Sequence, residues 1–241
     1  MKKKKIVCNF KNALSLNNYQ QIIEDISCYE SQNIDIIFAP PIAYLSIDSK
    51  EIKKCSQDIS LNNSPYEVGE ITANTLKETN TEYVLIGHSN RRNYYGETET
   101  DFVKKIRVAL NNNLKVIYCI GETLEELERR KSLSVLEHQI ARVLNNVDNL
   151  RNVIIAYEPV FLISNMTRGL NKLDNTYLAE TLSFIRNLIK NYYGFEIPLL
   201  YGGSVSADNI EMIKSLDIDG VLLGKSALNT NELKKICDSF K

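Results

Sequence analysis

The sequence predicts an α/β protein, a single-domain (β/α)8 barrel, on three observations. Short apolar runs of buried-strand composition recur along the whole chain, and stretches of helical periodicity lie between them. No composition shift or flexible linker divides the 241 residues. Strand and helix alternate about eight times, and right-handed βαβ units repeated eight times in about 250 residues close naturally into a barrel. On pattern alone, a doubly wound open sheet is the alternative.

The runs cover residues 6–10, 34–39, 54–57, 83–87, 116–120, 153–157, 199–201 and 221–224, most of them rich in Ile, Val and Tyr. Between the fifth and sixth, Leu124, Leu127, Leu133, Leu136, Ile140, Val143 and Leu144 keep one helix face apolar, with Glu125, Glu126, Arg129 and Arg130 on the other side. Leu178, Leu182, Ile185, Leu188 and Ile189 mark a second such helix. Ser206-Ala207-Asp208-Asn209 suits a helix start.

Hydrophobic residues make up 44% and charged residues 24%, the balance of an ordinary globular domain. A net charge of −1 gives no reason to expect nucleic acid or an anionic membrane as partner. The run Lys2-Lys3-Lys4-Lys5 reads as a solvated start before the first strand. No apolar segment is long enough to span a membrane, and the N-terminus lacks the form of a secretory signal. Five cysteines without metal-type spacing predict reduced thiols in a cytoplasmic protein. Cys119, inside an apolar run, reads as strand packing.

Candidate chemistry gathers at strand ends. Ala156-Tyr157-Glu158-Pro159-Val160 ends a buried strand in a carboxylate, and the proline forces a loop. The C-terminal end of a parallel strand is where such barrels do chemistry, so Glu158 is the candidate base. Gly87-His88-Ser89 closes the fourth run. A histidine beside a helix N-terminus stays neutral and donates a hydrogen bond; a buried histidine satisfied by the backbone is the equal alternative. Asn9-Phe10-Lys11 follows the first strand, where Lys11 is either an anion-attracting group over the mouth or a solvated side chain. Tyr201-Gly202-Gly203-Ser204 and Leu223-Gly224-Lys225 follow the seventh and eighth strands, the usual phosphate loops of such barrels.

Together with Gly69-Glu70-Ile71, Arg91-Arg92 and Cys119-Ile120-Gly121-Glu122-Thr123, these motifs resemble the triosephosphate isomerase family from Asn9 to Lys225. The resemblance implies the TIM barrel fold and an aldose–ketose isomerase of glycolysis and gluconeogenesis with no cofactor or metal. It implies that Glu158 removes a proton from C1 of dihydroxyacetone phosphate and returns it to C2. Neutral His88 then moves protons between the oxygens, and Lys11 stabilises the enediolate. Asn9 places Lys11 and the substrate oxygens. Gly203, Ser204, Gly224 and Lys225 hold the phosphate of a small phosphorylated sugar, with Ser164 offering an N–H from the sixth loop. The arm from Gln57 to Gly69 docks into a partner subunit as a homodimer.

Six positions depart from the family pattern. The sixth loop usually reads Pro-x-Trp-Ala-Ile-Gly-Thr-Gly-Lys, whereas here Phe161 replaces the tryptophan, and Ser164 and Met166 replace both glycines. Lys225 stands in place of a second glycine after the eighth strand. Asn90 stands for a glutamate near Lys11, and Val68 for a threonine that crosses the dimer interface. These changes leave two alternatives: an isomerase of another small phosphorylated ketose such as a tetrulose phosphate, or a weakened isomerase retained for binding.

Overall fold

The protein was described from a computed structural model, which describes residues 3–31, 33–163 and 175–241. Eight parallel strands form a closed barrel in sequence order. They are β1 (Lys4–Asn9), β2 (Ile34–Ala39), β3 (Lys53–Ser56), β4 (Thr81–Ile86), β5 (Lys115–Ile120), β6 (Val153–Tyr157), β7 (Leu199–Tyr201) and β8 (Gly220–Leu223). The open sheet is thereby excluded, because β8 pairs with β1 from Lys5 opposite Gly220 to Cys8 opposite Leu223.

The helices around it are α1 (Leu16–Ile26), α2 (Ala73–Glu78), α3 (Ser89–Tyr95), α4 (Glu99–Asn111), α5 (Leu124–Glu128), α6 (Ser132–Leu144), α7 (Val160–Ile163), α8 (Asn175–Tyr193), α9 (Ile210–Lys214) and α10 (Thr230–Ser239). Two expectations are corrected. The connection from β2 to β3 holds only a 3-10 turn, Ile42–Tyr44, after Pro40-Pro41 ends the strand. The periodic stretch after β5 forms two helices, because Arg130 turns into the left-handed region at φ 56°. Thr123 opens α5 with a capping box in which Glu126 answers its backbone N–H.

Two apolar layers result from strand alternation. Val7, Ile37, Cys55, Leu85, Ile117, Cys119, Ile154, Ala156, Leu200 and Leu222 form the smaller cluster that fills the barrel. The intervening residues, such as Ile6, Phe38, Val84, Tyr118 and Ile155, face the helices in the larger one. Each such buried aliphatic side chain contributes roughly 1.5–3 kcal/mol. Cys8, Cys55, Cys119 and Cys237 are buried in these layers, and Cys28 alone is exposed among the cysteines.

The lysine run is more than a solvated start. Lys4 and Lys5 already belong to β1, and Asp35, on the neighbouring strand, pairs with Lys3, Lys5 and Lys53. Burial opposes this charge, but the surrounding ammonium groups hold the Asp35 carboxyl below its usual range.

Barrel closure depends on Gly220, which has φ 156° and whose Cβ would overlap the Lys5 backbone. Gly220→Ala is expected to cost about 4 kcal/mol and lower Tm by about 10 °C. Thermal unfolding checks this; an unchanged Tm would show that the β8–β1 seam does not control closure.

Candidate active site

Alternation aims the site residues. Ala156 points into the barrel and Tyr157 toward the helices, so Glu158, the next residue, points back into the mouth. The same parity on β1 places Asn9 inward after Val7 and Cys8. Both side chains are buried, as is His88. The structure brings Glu158 and His88 together, with 3.9 Å between His88 Nε2 and Glu158 Oε1.

Glu158 is held by its backbone. Its N–H donates to the Ile120 carbonyl at 2.8 Å, and the Gly202 N–H donates to the Tyr157 carbonyl at 2.8 Å. A Cβ at Gly202 would lie 2.7 Å from Glu158 Cγ, so this glycine clears space for the carboxylate itself. A Cβ at Gly121 would overlap the Glu158 carbonyl. Glu158 Oε2 is buried without a hydrogen-bond partner among the described residues, leaving an acceptor free for a substrate proton. Burial, then the Glu158 charge, pushes the Cys119 thiol well above its ordinary range, so Cys119 packs rather than attacks.

His88 is the N-cap of α3. Its Nδ1 accepts from the Asn90 N–H at 3.2 Å, which leaves Nε2 as the protonated nitrogen of a neutral ring. Burial lowers its pKa most; the Glu158 charge raises it and the Lys11 charge lowers it again, with a net fall below 6.5. The helix end acts here through one hydrogen bond from the backbone. The Arg92 guanidinium braces the turn from below, donating to the Gly87 carbonyl at 2.9 Å and to the Tyr118 hydroxyl at 3.1 Å.

Lys11 adopts the left-handed region, φ 52°, and its N–H donates to Asn9 Oδ1 at 3.1 Å. Gln57 donates to the Lys11 carbonyl at 2.7 Å and to the Ala39 carbonyl at 3.0 Å. Asn90, exposed, offers Lys11 no charge, and no carboxylate pairs with the Lys11 ammonium among the described residues. An ionic cluster ties the start of the third connection to α3 and α4: Lys105, almost fully buried, contacts Asp58 at 2.7 Å and Glu97 at 2.6 Å, and Arg91 reaches Asp58 at 3.0 Å.

The two phosphate loops lie at the ends of β7 and β8. Gly203 is buried, and a Cβ there would strike the Tyr201 hydroxyl. Ser204 has φ 51° and donates its hydroxyl to the Leu162 carbonyl at 2.6 Å, so its hydroxyl is already engaged. Gly224 has open space around it, and Lys225 is exposed at the start of a 3-10 turn, Lys225–Leu228. The backbone N–H groups of Gly203, Ser204, Gly224 and Lys225 donate to no group among the described residues. Ser164, expected to contribute a further N–H, lies outside the described residues.

Sequence reasoning missed Gln57, Gln139 and Glu122. Gln139 clasps Gly121 through both backbone groups, at 2.9 and 3.1 Å. Its signal was a polar residue on the apolar stripe of α6.

The His88 geometry has a direct consequence. An unfolded histidine takes its proton near 6.5, whereas the folded site resists it, so this group's contribution to stability is present above that pH and lost as pH falls below it. Imidazole 15N spectra are expected to show His88 as the neutral Nε2–H tautomer from pH 8 to about 6.5, with the exposed His138 as reference. An Nδ1–H tautomer, or protonation above 6.5, would contradict the geometry.

A family model described as triosephosphate isomerase matches residues 4–240. A protein named triosephosphate isomerase from Phocaeicola vulgatus is 36% identical over 224 residues, covering 88% of this chain and 87% of that protein. One of the same name from Alkaliphilus oremlandii is 36% identical over 235 residues, 92% of this chain and 91% of the relative. A third, from Thermodesulfovibrio yellowstonii, is 37% identical over 189 residues, 77% of this chain and 75% of the relative. With a closed eight-stranded barrel and a match over nearly its whole length, the chain belongs to the triosephosphate isomerase family.

Proposed function

We propose that the protein interconverts dihydroxyacetone phosphate and D-glyceraldehyde 3-phosphate through an enediolate, serving glycolysis and gluconeogenesis in the cytoplasm. The observation that carries this reading is the pairing of a buried carboxylate, Glu158, with a neutral imidazole, His88, at one barrel mouth.

Glu158 Oε2 accepts the proton from C1 and returns it to C2. The base works at a buried position in the barrel mouth, within reach of the substrate carbons. The Nε2–H of His88 donates to the substrate oxygen as charge develops there, and relays the proton between O1 and O2. Lys11, held in its left-handed turn by Asn9 and Gln57, supplies positive charge to the enediolate and the phosphate. The undirected N–H groups of Gly203, Ser204, Gly224 and Lys225 bind the phosphate dianion, with the Lys225 ammonium adding charge at the rim.

The arm from Gln57 to Gly69 forms the homodimer contact. Tyr66 is 89% and Val68 94% exposed on this arm. No described helix is long and apolar enough to cross a membrane.

Glu158→Gln is expected to lower kcat by about 10³-fold with little change in Tm, because only the proton acceptor is lost. Steady-state kinetics and thermal unfolding check it; retained activity would remove Glu158 as the base. The alternative substrate is tested by kcat/KM on glyceraldehyde 3-phosphate against erythrose 4-phosphate: the triose is expected to be preferred by more than about tenfold. Preference for the tetrose would reassign the protein, with Lys225 as the first position to examine. Val68→Asp is expected to shift the sedimenting species to the monomer by placing a charge in the contact; an unchanged dimer would exclude the arm from it.

A further inference from the structure

We infer that Tyr177, on α8, is a positioning residue for the base, acting through the Glu122 carboxylate. This rests on Glu158 being the base, as proposed above.

Glu122 is fully buried just beyond β5. Its Oε1 accepts two hydroxyls, Tyr157 at 2.9 Å and Tyr177 at 2.8 Å. Its backbone carbonyl accepts the Val160 N–H at 3.0 Å. One residue thereby grips the chain immediately before Glu158 and two residues after it. Oε2 of Glu122 is buried without a hydrogen-bond partner among the described residues. Among the described residues the carboxylate is therefore held on one side only, and removing either hydroxyl leaves a single side-chain donor there on a buried charge.

The two donors differ in origin. Tyr157 is part of β6 and moves with the base. Tyr177 comes from the first turn of α8, which follows the chain stretch downstream of α7. Among the described residues, its hydroxyl is the one side-chain donor to Glu122 that enters from outside the strand bearing the base. Phe161, at the position where the family's sixth loop has a tryptophan, is buried and has no donor to offer. Tyr177 thus supplies to this carboxylate a donor that Phe161 lacks.

The charge balance agrees with the geometry. Burial raises the Glu122 pKa, while the hydroxyls of Tyr177 and Tyr157 and its own backbone lower it. The titratable groups around it are Tyr157 on β6, Tyr177 on α8, Tyr201 on β7 and Glu126 on α5. The last of these opposes ionisation. Without Tyr177, Glu122 takes a proton at higher pH. A protonated carboxyl then no longer draws the Tyr157 hydroxyl as a charge would, and Glu158 loses its fixed direction.

The test is Tyr177→Phe in the full-length protein, with Glu122→Gln and the double variant. In Tyr177→Phe, kcat is expected to fall about tenfold with KM within about twofold, and the acid limb of kcat to move to higher pH. Adding Tyr177→Phe to Glu122→Gln is expected to change kcat little, because the path through the carboxylate is already broken. The 13C carboxyl signals of Glu122 and Glu158, assigned from the Gln variants, are expected to shift in Tyr177→Phe without substrate. An unmoved Glu158 signal, or additive effects on kcat, would overturn the inference, as would a loss of Tm with an unchanged pH profile. If Tyr177→Phe does not fold, Glu122→Gln must still move the Glu158 signal, and its failure to do so is equally decisive. An inactive wild-type protein would instead sink the proposed reaction, while the carboxyl signals would still report on Tyr177.

Discussion

Everything at the mouth of this barrel depends on the burial of one carboxylate between two backbones. Glu158 leaves water at the end of β6, and that costs free energy unless its surroundings are built to fit it. The Gly202 turn gives its side chain room, and the Gly121 turn gives its carbonyl room. Side chains at either place would push the base out of line. Barrel closure makes this possible, because it brings the ends of β5, β6 and β7 into adjacent register, with Ile120 opposite Tyr157 and Tyr157 opposite Tyr201.

The second group of the site follows from the same need. An imidazolium beside Lys11 in a buried site is disfavoured, and the N-cap hydrogen bond from Asn90 occupies Nδ1. His88 is therefore a neutral donor by construction. Base and donor need not be tuned separately: burial leaves Glu158 Oε2 without a hydrogen-bond partner among the described residues and discharges the imidazole. Around them, in a second layer, the Gln57 and Gln139 side chains hold backbone rather than substrate, and the Glu122 carboxylate holds the hydroxyls of Tyr157 and Tyr177.

The strands, the barrel and the positions of Glu158, His88, Asn9 and Lys11 were legible in the sequence because they are local. Apolar alternation, the proline after Glu158 and the glycine before His88 lie within a few residues of what they direct. The break at Arg130 was not legible, since apolar spacing alone does not reveal a left-handed turn. Nor was the second layer: Gln57 reaches Lys11 across 46 residues, Gln139 reaches Gly121 across 18, and Tyr177 reaches Glu122 across 55. Such contacts carry no sequence period. The glycines of the phosphate loops were visible, but their reason was only partly so: Gly202 and Gly203 make room for Glu158 and Tyr201, whereas Gly224, after β8, faces open space.

The central claim is that Glu158 carries a proton between two carbons through an enediolate. Its most direct test is isomerisation of glyceraldehyde 3-phosphate in deuterium oxide, with product deuterium located by NMR. A proton held on a carboxylate exchanges with solvent, so deuterium is predicted at C1 of dihydroxyacetone phosphate, and Glu158→Gln should form almost none of this product. Ketose formed by the wild-type protein with no solvent deuterium at C1 would contradict the account, because it would mean transfer without an exchanging base.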